Sequence, residues 1–541
     1  MRLRQRPARA SAGDWLQPSA PRTWTAIGNL DSVWRGQVDP AGFVTIAGAR
    51  WSLDWWIGAE DRWHIPGREV AVRQSLLGGS PVVETRLRVP GGDAVQRAYA
   101  ARSPRGQEAL VVEVENQSKL PFAVAFALRP YDQSGPGRID SLALHGTEVV
   151  VDGAPAVLLP KAPGRVALSD AARGDCASLV LAGEATLVSA GMRVSCRDGL
   201  ANAALLFPLA HTASIRVGLP LGASAGLETS ALPTASQVAS GWSSHTAGGV
   251  RIELPDRRLR DAVIASTRHL LLGSADPEVA AALDVMGFPD EAARRLMADP
   301  VSLGRCALPG AALHALARHW VLTRDADFAR ASIEIVAVLV ARVANGTGSD
   351  AQLGRGAFPD AADLLDVAGE SRAARDLSKL SAAASVEPVA PGDLGSLLSR
   401  ANSTWTFATS DGTDALAGNA QLVRLALDQL VVEQPQSLLL CPEVPPTWLG
   451  QGWELHRAPT RHGRLSYAVR WHGDRPALLW ELEPHASCLA VTLTAPGLDP
   501  AWSTDQLAGE VLLAAVAIPE RTSRRGLTIP VSIETSQRGR Q

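Results

Sequence analysis

The segment from Leu438 to Pro484 holds the densest set of side chains that could bind or transform a ligand. It contains four tryptophans, six prolines and three histidines, together with several Arg and Glu residues. Trp offers a flat apolar face, and Arg, Glu and His make directional hydrogen bonds, a combination that suits polyhydroxylated ligands. The segment therefore predicts a saccharide-binding surface formed by Trp448, Trp453, His456 and Arg457. The same side chains could instead hold a β-domain against its neighbour, and the sequence leaves both interpretations open.

Two carboxylates in this segment are the candidates for chemistry. Glu443 and Glu454 flank the tryptophans. Cleavage of a glycosidic bond with inversion needs two carboxyl groups, one protonated and one ionised, roughly 6.5 to 9.5 Å apart. We interpret Glu443 and Glu454 as candidate general bases, with the acid unassigned. The alternative is a structural ion pair with Arg457 or Arg461, because acids near arginine are commonly structural partners.

A second aromatic cluster lies near the N-terminus. It consists of four tryptophans interleaved with charged residues, at positions 51, 55, 56 and 63. We interpret Trp55 and Trp56 as further substrate-binding residues. The alternative is that they fill an interface between domains, where large aromatic side chains are also enriched.

Other acidic residues have a structural alternative that is favoured by position. Asp325 follows Arg324 and could be a catalytic acid, but Asp is a preferred helix N-cap residue. Asp360, Asp363 and Asp366 could be catalytic carboxylates, but acids in the first turn of a helix are stabilised by the helix dipole. For all four, the structural interpretation is the stronger prediction.

Composition excludes several classes of function. The net charge is −3 and the basic residues are dispersed, which predicts no nucleic-acid partner. No apolar run has the length of a membrane span or secretory leader, so a cytoplasmic location and no membrane partner are predicted. The five cysteines are widely spaced, and three histidines near Cys441 match no zinc pattern. Phosphate-loop and dinucleotide fingerprints are absent from the sequence, so we expect neither metal nor cofactor.

The periodicity of apolar residues divides the chain into three parts. Short alternating runs predict an N-terminal β-sandwich, 3.6-residue periodicity predicts helices after Pro255, and strands return after Glu433. A short segment at Ser178–Leu181 is among the predicted strands, and a helix is predicted from Asn419 to Val432. The expected units are a tail over 1–22, a sandwich over 23–222, a linker over 223–254, a helical domain over 255–434, a β-domain over 435–535 and a tail over 536–541.

Several segments carry a resemblance to a known superfamily. They are VVEVENQSKLPFAVAFALRP (111–130), ASGWSSHTAGGVRIELPDRRLRDAVIASTRHLLL (239–272), ALDVMGFPDEAARRLM (282–297), GAALHALARHWVLTRDADFA (310–329), PEVPPTWLGQG (442–452) and HGRLSYAVRW (462–471). In this order they resemble the six-hairpin glycosidases, which include glucoamylases, α-rhamnosidases, glycogen-debranching amyloglucosidases and related disaccharide phosphorylases. The resemblance implies a β-sandwich, an (α/α) six-hairpin helical domain and a C-terminal β-cap.

The resemblance also implies an activity, with one departure. It implies inverting acid/base hydrolysis of an oligosaccharide or glycoside, with the first carboxylate in a long loop after the opening helix. Here Leu272 leads through only four residues to Pro277, so that loop is absent. About eight helices are predicted, which implies an incomplete helical domain. The alternative function is therefore a catalytically inactive relative that binds a carbohydrate or a protein.

Overall fold

The computed structural model describes residues 23–222, 225–273, 275–383, 392–407, 415–486 and 490–518. The predicted tails at 1–22 and 536–541, and Cys488, lie outside these residues. The chain forms an N-terminal β-sandwich, then a helical domain, then a C-terminal β-domain. This order confirms the predicted fold class.

The N-terminal part contains twenty strands within the described residues. They are β1 (Thr25–Gly28), β2 (Arg35–Val38), β3 (Val44–Ile46), β4 (Ser52–Gly58), β5 (Trp63–His64), β6 (Val72–Leu76), β7 (Val82–Val89), β8 (Gly92–Arg102), β9 (Glu108–Asn116), β10 (Phe122–Arg129), β11 (Tyr131–Asp132), β12 (Gly135–Pro136), β13 (Ser141–His145), β14 (Glu148–Val151), β15 (Ala154–Leu158), β16 (Arg165–Ser169), β17 (Thr186–Leu187), β18 (Arg193–Ser195), β19 (Asn202–Leu209) and β20 (Ser214–Leu221).

Two nine-stranded antiparallel sheets pack face to face. One has the order β1-β2-β3-β4-β10-β19-β16-β17, with β5 beside β4, and the other has the order β18-β13-β14-β15-β20-β9-β8-β7-β6. Alternate side chains of both sheets, such as Trp55, Phe126, Leu110 and Val217, form one apolar core between them. This is the burial pattern expected of a β-sandwich.

The prediction of a strand at Ser178–Leu181 is wrong. Helix α1 occupies Cys176–Leu181, because the carboxylate of Asp175 accepts a hydrogen bond from the backbone N–H of Ala177 and caps the helix. An apolar run this short fits a strand and a buried helical turn equally well, so its capping residue decides the outcome.

Twelve further helices follow in the described part of the chain. They are α2 (Ala235–Thr246), α3 (Arg257–Leu272), α4 (Pro277–Val285), α5 (Pro289–Leu296), α6 (Pro300–Gly304), α7 (Pro309–Thr323), α8 (Ala326–Ala344), α9 (Gly348–Gly356), α10 (Phe358–Val367), α11 (Ser371–Ala383), α12 (Leu394–Arg400) and α13 (Ala415–Asp428). Strand β21 (Arg251–Glu253) separates α2 from α3.

The helix boundaries follow the capping residues. Asp256 caps α3 by accepting from the Leu259 N–H, and proline occupies the first turn of α4, α5 and α7. The count differs from the prediction, since eleven helices lie between residues 255 and 434 in the described ranges, and short ones such as α6 and α9 are not among the predicted helices. The last helix also ends earlier than predicted, at Asp428, and Val431–Gln434 is a strand.

The C-terminal part returns to β-structure. Its strands are β22 (Val431–Gln434), β23 (Ser437–Leu440), β24 (Trp453–Thr460), β25 (Gly463–His472), β26 (Arg475–Pro484), β27 (Thr492–Ala495), β28 (Asp499–Thr504) and β29 (Ala508–Leu512). They form a five-stranded sheet, β21-β24-β25-β26-β29, and a four-stranded sheet, β22-β23-β27-β28. The apolar faces of these sheets share one continuous core with the helices.

The sandwich is joined to the helical domain by buried polar contacts. The Arg268 guanidinium of α3 donates to the Gly78 carbonyl at 2.6 Å, and Arg35 donates to the Leu272 carbonyl at 2.9 Å. The hydroxyls of Thr25 and Thr404 are 2.7 Å apart. These contacts fix the helical domain relative to the sandwich.

Candidate functional site

A cavity of about 820 Å³ lies where the helical domain meets the C-terminal β-domain. Its walls come from α4, α7, α9, α10 and α13, and strands β22 and β24 contribute at one side. This volume falls in the range of small-molecule sites. We call it the central cavity.

Small residues on the facing helices create this space. The side chains of α4, α7 and α13 that line the cavity recur at helical spacing, so each helix turns one face toward it. Several of these positions are alanine or glycine, including Ala281, Ala311, Ala317, Gly418 and Ala420. Larger side chains at these positions would fill the space between the helices, because protein interiors are closely packed.

Arg318 and Glu433 form the principal ion pair of the central cavity. The two guanidinium nitrogens of Arg318 lie 2.8 and 2.5 Å from the two carboxylate oxygens of Glu433, and both side chains are largely buried. Burial raises the pKa of Glu433, but the charge and hydrogen bonds of Arg318, together with Arg461, outweigh it, so the pKa lies below its ordinary value. Glu433 is therefore ionised at pH 7.

A second pair joins the helices to the β-domain. Arg461, in the turn between β24 and β25, donates to Asp360 of α10 at 2.7 Å, and its backbone N–H donates to Glu433 at 3.2 Å. Burial raises the pKa of Asp360 despite the arginines nearby. The charged wall of the cavity is thus continuous from α7 through β22 to α10.

His314 projects from α7 into the central cavity. Burial, together with the charges of Arg318 and Arg424, lowers the pKa of His314 to about 4. The imidazole is neutral at pH 7, and one ring nitrogen can donate a hydrogen bond while the other accepts one.

Asp428, at the end of α13, is a further carboxyl group of the cavity, and it is exposed. It keeps contact with solvent in the cavity, but desolvation by the surrounding protein raises its pKa, and Arg424 and Arg318 oppose the shift only in part. Glu433 lies close enough to raise the pKa of Asp428 further. The cavity therefore pairs a carboxyl of raised pKa with a carboxylate of lowered pKa, the division of roles that acid/base catalysis uses.

The N-terminal tryptophans do not reach the central cavity. Trp55 is 0% exposed in the core between the two sheets, and its indole N–H donates to the Ala41 carbonyl. Trp56 is 1% exposed, packs against α1 and donates to Asp54. Both rings are buried within the N-terminal part, Trp55 between the two sheets and Trp56 beneath α1, so they are neither sugar platforms nor interdomain contacts, which corrects both sequence interpretations.

The C-terminal tryptophans are also buried. Trp448 is 4% exposed and Trp453 is 1% exposed, and their ring centroids lie 5.7 Å apart in the core shared by helices and β-domain. A ring without accessible surface cannot stack on a sugar, so the interpretation of Trp448 and Trp453 as substrate-binding residues is corrected to core packing.

The two candidate bases lie outside the central cavity. Glu443 is exposed in the segment after β23. Glu454 is on β24, where its carboxylate contacts Arg470 and the His456 ring at 2.6 Å, and these hydrogen bonds lower its pKa. Glu454 therefore forms an ion pair as the structural alternative predicted, but with Arg470 rather than Arg457 or Arg461. Its companion His456 is occupied in the same cluster.

Arg457 is the one predicted binding residue that borders a cavity in the described structure. It lines a smaller cavity of about 480 Å³, described below. Arg457 has a positive φ of 59° and lies at an irregularity in the pairing of β24 with β25.

Among the other acidic candidates, Asp325 has the structural role that the sequence favoured, whereas Asp363 and Asp366 lie beyond the first turn of α10 and have other side-chain partners. Asp325 caps α8 through the N–H groups of Asp327 and Phe328. Asp363 accepts from Trp320 and Arg324, and Asp366 accepts from Ser371. Asp360 differs, because it lines the central cavity.

Sequence reasoning missed His314, Arg318, Asp428 and Glu433. The first two share one face of α7 and could have been found as polar residues interrupting an otherwise apolar helix face. The sequence places Glu433 at the predicted boundary between the helical domain and the β-domain and gives no sign of its approach to Arg318.

In the described ranges, no three His, Cys, Asp or Glu side chains converge closely enough to hold a metal ion. Among the described helices, none is long and apolar enough to cross a membrane.

No known protein-family profile matches the sequence, and no curated protein matches it. Among solved structures, one similar chain is described as "Putative kojibiose phosphorylase from human microbiome". The two chains are 7% identical and superimpose with a TM-score of 0.46 over 92% of this chain and 91% of that chain. At this level of similarity we draw no functional conclusion from it.

Proposed function

We propose that the protein binds an oligosaccharide or glycoside in the central cavity. The proposal rests mainly on the composition of the cavity wall, where planar Arg and carboxylate groups alternate with small apolar residues. Arg318, Glu433 and Asp360 present fixed donors and acceptors, and the neutral His314 adds one of each. Hydroxyl groups of a sugar both donate and accept, so they suit such a wall better than a ligand of one charge.

Glycoside hydrolysis by inversion is the second candidate function. It is favoured by the opposite pKa shifts of Asp428 and Glu433. Asp428 would protonate the leaving oxygen of the glycosidic bond, and Glu433, the carboxylate of lowered pKa, would activate water. The resemblance of the sequence to six-hairpin glycosidases supports the same class of reaction. Against it, the Glu433 carboxylate is engaged by Arg318 through both oxygens, which favours binding without turnover.

Binding is tested by calorimetry of the purified protein with a panel of natural oligosaccharides. We expect at least one oligosaccharide to bind. Gln421 and Asp428 both line the central cavity, and we expect Gln421→Ala and Asp428→Asn each to weaken this binding about tenfold or more. Glu443→Gln is the matched control for the Asp428 substitution, because it makes the same carboxyl-to-amide change on an exposed side chain outside the cavity. The proposal is wrong if the whole panel fails to bind, or if the cavity variants bind as tightly as the wild type.

Turnover is tested separately with nitrophenyl glycosides and the same oligosaccharides. If the protein is a hydrolase, Asp428→Asn should lower kcat by about 10²-fold or more, the usual contribution of a general acid. Glu443→Gln and Glu454→Gln should retain full activity. Binding without product in the wild type would reject hydrolysis and leave the binding function in place.

A further inference from the structure

The second cavity, of about 480 Å³, lies between the helical domain and the C-terminal β-domain. Residues near the ends of α4 and α7, the start of α5, and strands β24 and β26 surround it. It uses a different face of α4 and α7 from the central cavity, and Pro459 borders both. We call it the lateral cavity.

A buried His–Asp pair forms one wall of the lateral cavity. His319 Nδ1 lies 2.8 Å from Asp284 Oδ1, and the two side chains are 2% and 0% exposed. The second oxygen, Asp284 Oδ2, is buried without a hydrogen-bond partner in the described structure. An unsatisfied buried carboxylate oxygen is costly, so this wall of the cavity is not stabilised by protein contacts alone.

Two arginines border the same cavity without a protein partner. The guanidinium groups of Arg457 and Arg464 make no hydrogen bond or ion pair with any residue that the structure describes. Arg457 is held in the left-handed region, with φ 59°, at the irregularity of β24. A non-glycine residue in this region costs free energy, and such strain is concentrated at ligand sites where it aims a side chain.

Two carboxylates complete the rim. Asp290 at the start of α5 and Glu483 near the end of β26 line the cavity, and within the described ranges neither side chain forms a hydrogen bond or ion pair. The lateral cavity therefore presents two cationic and two anionic groups without partners around a buried carboxyl group.

We propose that the lateral cavity binds a small zwitterion of the amino-acid class, with its carboxylate on Arg457 and Arg464 and its ammonium group between Asp290 and Glu483. A simple anion would be repelled by the rim acids, and a simple cation by the arginines, whereas a molecule with both charges meets complementary groups at each end. The lateral cavity uses none of the charged residues that line the central cavity.

The test is calorimetric titration of the full-length protein with free amino acids. We expect at least one to bind, and we expect its analogues without the ammonium group or without the carboxylate to bind at least about tenfold more weakly. Arg457→Gln and Glu483→Gln should each weaken binding by a similar factor. Both side chains are exposed, so these variants should fold.

Arg193→Gln is the matched control, because Arg193 is an exposed arginine on β18 of the sandwich. It should bind the amino acid as tightly as the wild type does. The proposal is overturned if no amino acid binds, if single-charge analogues bind as well as the zwitterion, or if the Arg457 and Glu483 variants keep wild-type affinity. These results do not depend on whether the central cavity binds a saccharide.

Discussion

Arg318 of α7 and Glu433 of β22 form a two-point ion pair, although 115 residues separate them in the chain. Glu433 also accepts the backbone N–H of Arg461, whose side chain holds Asp360. Arg318 and Arg461 therefore both bind this carboxylate, and Arg461 links it to α10. The pair both shapes the central cavity and joins its walls.

Glu433→Gln should destabilise the protein by about 2 to 3 kcal/mol, because Arg318 is left largely buried without its counter-charge. For a domain of this size the melting temperature should fall by about 5 to 10 °C, as measured by calorimetry. The double variant Arg318→Met, Glu433→Leu removes both charges and should be less destabilised than the single variant. Equal losses of stability in the single and the double variant would show that the unpaired Arg318 charge does not cause the destabilisation.

His314 should make the protein less stable in mild acid. Its pKa in the folded state is about 4, below the ordinary value, so the unfolded chain takes up a proton at higher pH than the folded protein does. Its contribution to stability is present above the unfolded pKa and is lost as pH falls from about 6.5 towards 4, by up to about 3 kcal/mol.

Denaturant unfolding of the wild type and His314→Gln from pH 8 to pH 4.5 checks this expectation. The variant should show a smaller loss of stability in acid, while the difference between the two proteins stays constant above pH 7.5. Some acid dependence should remain in the variant, because burial also lowers the pKa of His269. Parallel pH profiles would contradict the assignment.

Gly79 and Gly78 offer a matched pair at the contact between the sandwich and α3. Both have positive φ, 70° and 58°, so alanine is strained at either position by about 1 kcal/mol. A Cβ at Gly79 would also lie 3.0 Å from Ile264 Cγ2, whereas a Cβ at Gly78 meets nothing within 4 Å. We expect Gly79→Ala to lower the free energy of unfolding by about 1 kcal/mol more than Gly78→Ala. Identical effects would mean that this turn does not press on α3.

Asp350 should stabilise the helix that carries the cavity residues. Leu308 precedes α7 and provides no side-chain cap, and Asp350 of α9 instead accepts from the N–H groups of Gly310 and Ala311 at 2.8 and 2.9 Å. Asp350→Ala should cost about 1 to 2 kcal/mol in thermal or denaturant unfolding. Asp350→Asn retains one acceptor oxygen and should cost less. If both substitutions are neutral, α7 does not need this cap.

The fold could be predicted where local signals were strong. Asp325 is predicted as a helix N-cap and caps α8, and the alternating apolar runs predict the antiparallel strands of the sandwich. The prediction failed at Ser178–Leu181 and at Val431–Gln434, where a short apolar run fits either a strand or a helix.

The candidate site could be predicted only in part, because its geometry depends on contacts between distant segments. The chemistry of Trp55 and Trp453 suits a sugar ligand. Burial decides whether an aromatic ring can meet a ligand, and burial depends on the tertiary fold. Asp360 is a candidate carboxylate in the sequence. Its ion pair with Arg461, 101 positions away, could not be predicted from either segment alone. The cavity itself arises from alanines and glycines, which carry no chemical signal.

Helix α7 directs His314 and Arg318 into the central cavity and His319 and Thr323 into the lateral one. Because the same helix lines both cavities, a ligand that tilts α7 in one cavity also moves the wall of the other. Occupancy of either compartment would then alter the affinity of its neighbour, and thermodynamic reciprocity requires the same factor in both directions. The protein would in that case respond to two small molecules jointly through one shared helix.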